Sequence, residues 1–228
     1  EDTSMKKIIL SLVSVLFLFS TASADIGLNV GISGTTALFV ATGNETQTDA
    51  DGNEGTTKQE DTEMGAGGYA SIFIEKEFGR FAIGYNHTPE VFSTETAETL
   101  KNDQQTANVD TVTVATNTVQ VDFEDLTTAY VTFNLNENIY VKAGYMEVDV
   151  ITNEKLATGG NYGNTSLDGH ILGIGYNYDL PNGVFFRGEA NHMDLGGATL
   201  KNTVDTDKSV SVDGISGYGA RISVGKSF

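Results

Sequence analysis

From Ile26 to Val40 the side chains alternate without a break. Ile26, Leu28, Val30, Ile32, Leu38 and Val40 hold even positions, with Gly34 and Thr36 among them. Gly27, Asn29, Gly31, Ser33, Thr35, Ala37 and Phe39 hold the odd ones. Successive residues of a strand point to opposite faces, so this period of two writes one mostly aliphatic face and one mostly small or polar face. The run covers 15 residues, whereas a strand of a soluble protein has about 5–6. A strand that crosses a bilayer obliquely needs about 9–11 residues and can extend beyond it.

The same pattern returns along the chain. It recurs in Gly68 to Phe78, Phe81 to Asn86, Thr128 to Leu135, Ile139 to Met146, Leu172 to Tyr178, Phe186 to Asn191 and Tyr218 to Gly225. With the first run this makes eight strands. Three connections are short: Gly79-Arg80, Asn136-Glu137-Asn138 and Asp179-Leu180-Pro181-Asn182-Gly183, the last a strong turn signal. The others, residues 42–66, 88–124, 149–168 and 194–213, read as long loops.

Two architectures could use such strands. A soluble sandwich turns apolar residues inward and polar ones out. Here the second face carries Gly, Asn, Ser and Thr with a few charges, which suits a polar lumen, while lipid takes the aliphatic face. The expected fold is therefore all-β: a transmembrane up-and-down antiparallel β-barrel of eight strands, with short periplasmic turns and long extracellular loops. An even strand count leaves both termini on the periplasmic side. Closure pairs every backbone group, the condition for spanning a membrane without helices.

The N-terminal residues agree. Lys6 and Lys7 precede the apolar stretch Ile8 to Phe19, and Ala22-Ser23-Ala24 follows as a small-residue cleavage site. These are the three parts of a secretory signal peptide. Residues 1–24 are expected to be upstream residues and a cleaved signal, with Met5 as the start, and residues 25–228 one barrel domain. Export through the Sec pathway to the outer membrane of a Gram-negative bacterium follows as an expectation. The chain has no cysteine, which removes disulfide frameworks and thiolate metal sites. Its net charge of −18 repels nucleic acid and attracts cations.

The last strand ends at Phe228, and Tyr218, Ala220, Ile222 and Val224 share its face. This resembles the C-terminal insertion signature of outer-membrane barrels, although Lys226 stands where an apolar residue is usual. Together with Val141-Lys142-Ala143-Gly144-Tyr145, Gly173-Ile174-Gly175-Tyr176-Asn177-Tyr178 and Phe186-Arg187-Gly188-Glu189, it makes residues 25–228 similar to the small eight-stranded outer-membrane β-barrel family, of the OmpA-barrel or OmpX-like type. The resemblance implies outer-membrane lipid, lipopolysaccharide and the barrel-assembly machinery as partners, and a monomer. No peptidoglycan-binding domain follows the barrel, so a cell-wall tether is not expected.

Candidate sites are few. Glu75, Lys142, Arg187, Glu189 and Arg221 lie on the polar face and are expected to meet in the lumen as a structural or gating network. Charges in a narrow lumen must pair. In the first loop, Asp49, Asp51, Asn53 and Glu60 match four ligand positions of a calcium loop, but Glu54 stands where that loop requires glycine. A solvated acidic loop is the simpler reading, and neither metal nor cofactor is expected. In the second loop, Val109 to Val114 and Val119 to Phe123 could pair as a protruding hairpin with an edge open to strand addition, or join the wall as strands nine and ten. Asp168-Gly169-His170 and His192-Met193-Asp194 place a carboxylate beside an imidazole on one face. His170 and His192 share the parity of lipid-facing residues, so catalysis is not expected. Tyr69, Tyr85, Tyr145, Tyr176, Tyr178 and Tyr218 suit an aromatic girdle.

The functional expectation is a structural or narrow-pore outer-membrane barrel with acidic surface loops. The alternative is an adhesin or ligand binder acting through residues 88–124, with a hydrolase third.

Overall fold

The computed structural model describes residues 26–48, 54–94, 96–104, 112–156, 160–204 and 206–228. The expected signal peptide lies outside the described residues. Among the described residues ten strands form: β1 (Leu28–Thr48), β2 (Glu54–Phe78), β3 (Phe81–Ser93), β4 (Ala97–Gln104), β5 (Val112–Asn134), β6 (Ile139–Lys155), β7 (Thr165–Asp179), β8 (Val184–Leu195), β9 (Ala198–Lys201) and β10 (Lys208–Ser227).

Eight of them close a ring. β1, β2, β3, β5, β6, β7, β8 and β10 pair in that order, all antiparallel, and β10 pairs back onto β1. One row of partners runs Ile74, Tyr85, Ala129, Tyr145, His170, Asp194, Ser216, Val40 and then Met64. It leaves β2 at Ile74 and re-enters it at Met64, a stagger of ten residues. Eight strands with that stagger tilt by about 40° from the barrel axis and leave an interior that side chains can fill. The ten-stranded wall is thus excluded: β4 and β9 lie outside the ring, each paired to an extension of a wall strand.

The alternation sets the sides of the wall. Leu38, Ile72, Ile74, Ile83, Val131, Leu172, Ile174 and Ile222 face outward and are exposed, while Asn29, Ser33, Glu75, Asn86, Thr128, Lys142, Glu189 and Arg221 are buried inside. An aliphatic surface this continuous, around a closed ring, is what a lipid-facing barrel needs.

Aromatic residues mark the two rims. Phe78, Phe81, Tyr176, Tyr178 and Phe186 are exposed at the end that carries the short turns. Tyr145 and Tyr218 are exposed toward the other end and Tyr85 between the two, with His170 against Tyr145 and His192 against Tyr218, both edge-on. Tyr69 departs from the expected girdle. It shares the parity of Ser71 and Glu75, so it is buried inside, where its hydroxyl donates to Met193 Sδ at 3.6 Å.

The short turns form as the sequence suggests. Gly79 and Gly183 both adopt positive φ, 66° and 77°. Arg80 fastens its turn by donating to the Asn134 and Leu135 carbonyls at 2.9 and 2.8 Å. Ile26 and Phe228 meet at this rim, where the Ile26 N–H donates to the Phe228 carbonyl at 2.9 Å.

The long loops are where the sequence reading is corrected. β1 and β2 remain paired far past the barrel, out to Thr48 and Glu54, so most of residues 42–66 is a two-stranded ribbon. β10 pairs along the same ribbon as far as Lys208. Of the expected hairpin, residues 109–111 lie outside the described residues, and Val112 to Val114 do not pair with 119–123. Val112 to Phe123 is continuous within β5, and its partners are β4 and β6. Among the described residues, segments 149–168 and 194–213 likewise contribute the outer parts of β6, β7, β8 and β10 and the short β9.

The outer core is apolar. Phe39, Val91, Leu126, Met146, Val148, Leu167, Ile171, Met193, Leu195 and Ile215 are buried together within the upper barrel and its extension. Phe92 stacks between Phe39 and Phe123, at ring separations of 5.4 and 4.6 Å. The lumen, expected to be polar, is therefore a polar lower half beneath an apolar upper half.

Candidate functional site: the barrel lumen

The five charged residues expected in the lumen meet there. They form two linked groups. In the lower one, Arg187 of β8 reaches across to Glu75 of β2 with two parallel bonds, Nη1 to Oε1 at 2.6 Å and Nη2 to Oε2 at 3.0 Å. A guanidinium fork matched to a carboxylate is the geometry that fixes both partners. The Tyr130 hydroxyl donates to the same Oε1 at 2.8 Å. Arg187 Nε donates to Asn177 Oδ1 at 3.2 Å. Its guanidinium lies 5.0 Å from the ring centres of both Tyr140 and Phe185, close enough for the aromatic faces to attract it.

Glu189 organises the second group. Lys142 of β6 donates to both its oxygens, at 3.0 and 3.3 Å. The Tyr140 hydroxyl donates to Oε2 at 2.8 Å. Arg221 of β10, the cross-strand partner of Glu189, holds its Nη1 4.0 Å from Oε1 and donates from Nε to Thr35 Oγ1 at 3.0 Å. Lys142 also sits 4.5 Å from the Tyr130 ring centre, so the groups share an aromatic boundary. Each carboxylate has a base and a phenol, which offsets the cost of holding charge away from water.

Sequence reasoning missed the aromatic half of this network. Tyr130, Tyr140, Phe73 and Phe185 all face inward and are buried. Each lies directly opposite a glycine: Tyr130 opposite Gly84, Tyr140 opposite Gly175, Phe185 opposite Gly225 and Phe73 opposite Gly31. A Cβ on any of the four glycines would come within 2.2–2.4 Å of the facing ring. The rings therefore lie flat over bare backbone, filling a lumen too narrow for two side chains at one level. The signal was present as glycines sharing the inward parity, but the register that matches each to a ring is not written in any local stretch.

The remaining candidates fall elsewhere. Asp168, His170 and Asp194 are exposed on the outer surface, and His192 turns to Tyr218. Asp49, Asp51 and Asn53 lie outside the described residues, and Glu60 is exposed on the β1–β2 ribbon. No group of three or more His, Asp or Glu is placed to hold a metal among the described residues. Along the terminal strand Tyr218, Ala220 and Ile222 are exposed outward. The Lys226 ammonium bends to the Asn182 carbonyl in the β7–β8 turn and lies 6.0 Å from the Phe228 ring centre, a charged head reaching away from an apolar stem.

Fold and lumen together define a closed, lipid-facing antiparallel β-barrel of the outer-membrane kind. Solved structures similar to the chain include the outer membrane protease OmpT of Escherichia coli (9% identity, 92% of this chain and 100% of that one, TM-score 0.40). Others are the outer membrane protein AlkL in lipid bilayers (12%, 92% and 95%, 0.45) and Neisserial surface protein A (11%, 85% and 97%, 0.34). At these identities and scores the likeness transfers no residue role and no activity. No protein-family model matches the chain, and no curated protein matches it.

Proposed function

We propose that the protein is an outer-membrane barrel of structural type, a closed scaffold that holds an acidic extracellular sheet above a Gram-negative surface. The observation that supports this most is the Arg187–Glu75 fork with the Glu189 cluster beside it. A hydrated axial path would have to break a bidentate ion pair and then pass the apolar core above it. The narrow-pore form of the expectation fits this packing less well. Planar-bilayer recording tests the reading: the folded protein should give no unit conductance steps, and reproducible steps from the wild type would overturn it. Lipid and lipopolysaccharide around the wall, insertion through the assembly machinery and a monomeric state belong to the same proposal. No catalytic role is part of it.

A second reading, surface adhesion, draws support from β4. This strand pairs with β5 along one edge, and no pairing occupies its other edge among the described residues. A free edge is a template for strand addition. Deleting residues 97–117 removes the β4–β5 ribbon and spares the wall. Unchanged cell binding after that deletion would remove the adhesive reading.

A further inference from the structure

The ring is closed, but not along its whole height. β2 and β3 pair from Phe78–Phe81 up to Ile72–His87 and no further, although both strands continue. Two residues above the last pair stands Pro89, which has no N–H to give to a ladder. β3 then bulges against β5 between Glu90 and Phe92. Higher up, Phe92 packs on Gly67 and bridges the two strands again. Between these limits the wall has a framed window.

The window opens into a cavity of about 760 Å³, lined by β1, β2, β3 and β5. Its depth is set by neighbouring outward residues. Gly68 and Ala70 of its edge lie between Ile72 and Ile74 below and the Leu38–Ala66 pair above, and Leu38, Ile72 and Ile74 are all exposed. The mouth thus faces the outer part of the apolar band, so an occupant arrives from the lipid phase and carries a hydrocarbon chain. Tyr69, Val91, Phe92 and Phe123 give that chain an apolar wall. The charged residues of the lining are Glu90, Asp122 and Glu124, and none of the lining residues is basic. Three carboxylates at the mouth repel an anionic head and attract a cationic one.

We propose that this window is a lateral binding site for a single-chain alkylammonium amphiphile, its tail against the Phe92 stack and its head at the Glu90–Asp122–Glu124 rim.

The chain has no cysteine, so one introduced thiol reports on one place. Ser93→Cys in the lining carries an environment-sensitive fluorophore. Leu172→Cys carries the same label on the outer face of β7, across the barrel. Both proteins are folded into phosphatidylcholine vesicles and titrated with dodecylammonium, dodecanol and dodecanoate. Dodecylammonium should shift the Ser93 label saturably, with half-saturation at least about tenfold below that of dodecanoate, as a few rim charges can give. The Leu172 label should report the same unsaturable partition for all three. The rim variant Glu90→Lys with Glu124→Lys changes two partly or fully exposed charges, leaves the packed lining in place, and should reverse the order of the two charged probes. Equal half-saturation for the three probes at Ser93, identical behaviour of the two labels, or an order that survives the rim reversal would each overturn the proposal.

Discussion

Arg187 and Glu75 stand 112 residues apart in sequence and meet in the lumen with the two terminal guanidinium nitrogens each on one carboxylate oxygen. The contact joins opposite sides of the barrel, so it braces the cross-section as well as neutralising two buried charges.

Removing one partner should therefore cost more than removing both. Arg187→Met leaves the Glu75 carboxylate buried beside Tyr130, a loss of about 3–5 kcal/mol for an orphaned buried charge. Adding Glu75→Gln removes the orphan and should recover most of it. Urea unfolding in detergent micelles, followed by the heat-modifiable gel mobility of the folded barrel, measures both. A double variant as unstable as the single one would contradict this account.

The ring-over-glycine contacts predict a contrast between two nearby glycines. Gly175 lies beneath the Tyr140 ring, whereas a Cβ on Gly188 meets nothing within 4 Å. Gly175→Ala should destabilise by about 1–3 kcal/mol, the usual penalty for overpacking, and Gly188→Ala should be close to neutral. The same unfolding assay compares them, and equal effects would refute the steric argument.

Depth in the bilayer gives a third test. Ile222 is 74% exposed and lies midway along the crossing part of β10, while Met64 lies above the band. Lysine at a bilayer midplane position costs about 2–4 kcal/mol and near an interface about 0–1. Ile222→Lys should therefore impair folding into phosphatidylcholine vesicles far more than Met64→Lys. The reverse order would move the membrane along the barrel.

The outer core should unfold separately from the lumen. Phe92→Ala removes the middle of the Phe39–Phe92–Phe123 stack. Amide exchange should rise at Val91 and Phe123 while Tyr130 and Glu189 keep their protection, as expected of distinct cooperative units. Uniform loosening of both regions would show one unit instead.

The sequence carried the wall and its parity in full. Ile72 and Glu75 could be assigned to opposite faces because lipid and lumen are chemically opposite, and a strand between them must alternate. Above the membrane that contrast disappears. Glu45 and Glu60 belong to an extension of β1 and β2 that is polar on both faces, so no apolar period of two is imposed, and 42–66 reads as loop although its described residues are strand. Tyr69 failed for a related reason: a tyrosine suits a girdle by type, and its parity alone shows that it faces inward. The gathering of charges was legible, but the choice of Glu75 for Arg187 and of Glu189 for Lys142 depends on the stagger of the whole ring. No local motif encodes that stagger.

The pairing of β1 with β10 also governs the order of events in time. β1 finds its second neighbour in β10, far later in the sequence, with Asn29 opposite Ser227. Until β10 arrives, the sheet has two raw margins and no interior, and Arg187 has no enclosed space in which to meet Glu75. Long-range closure of this kind is slow. The nascent chain must therefore be sheltered from self-association for the whole of that interval, and the final strand acts as the latch that ends it.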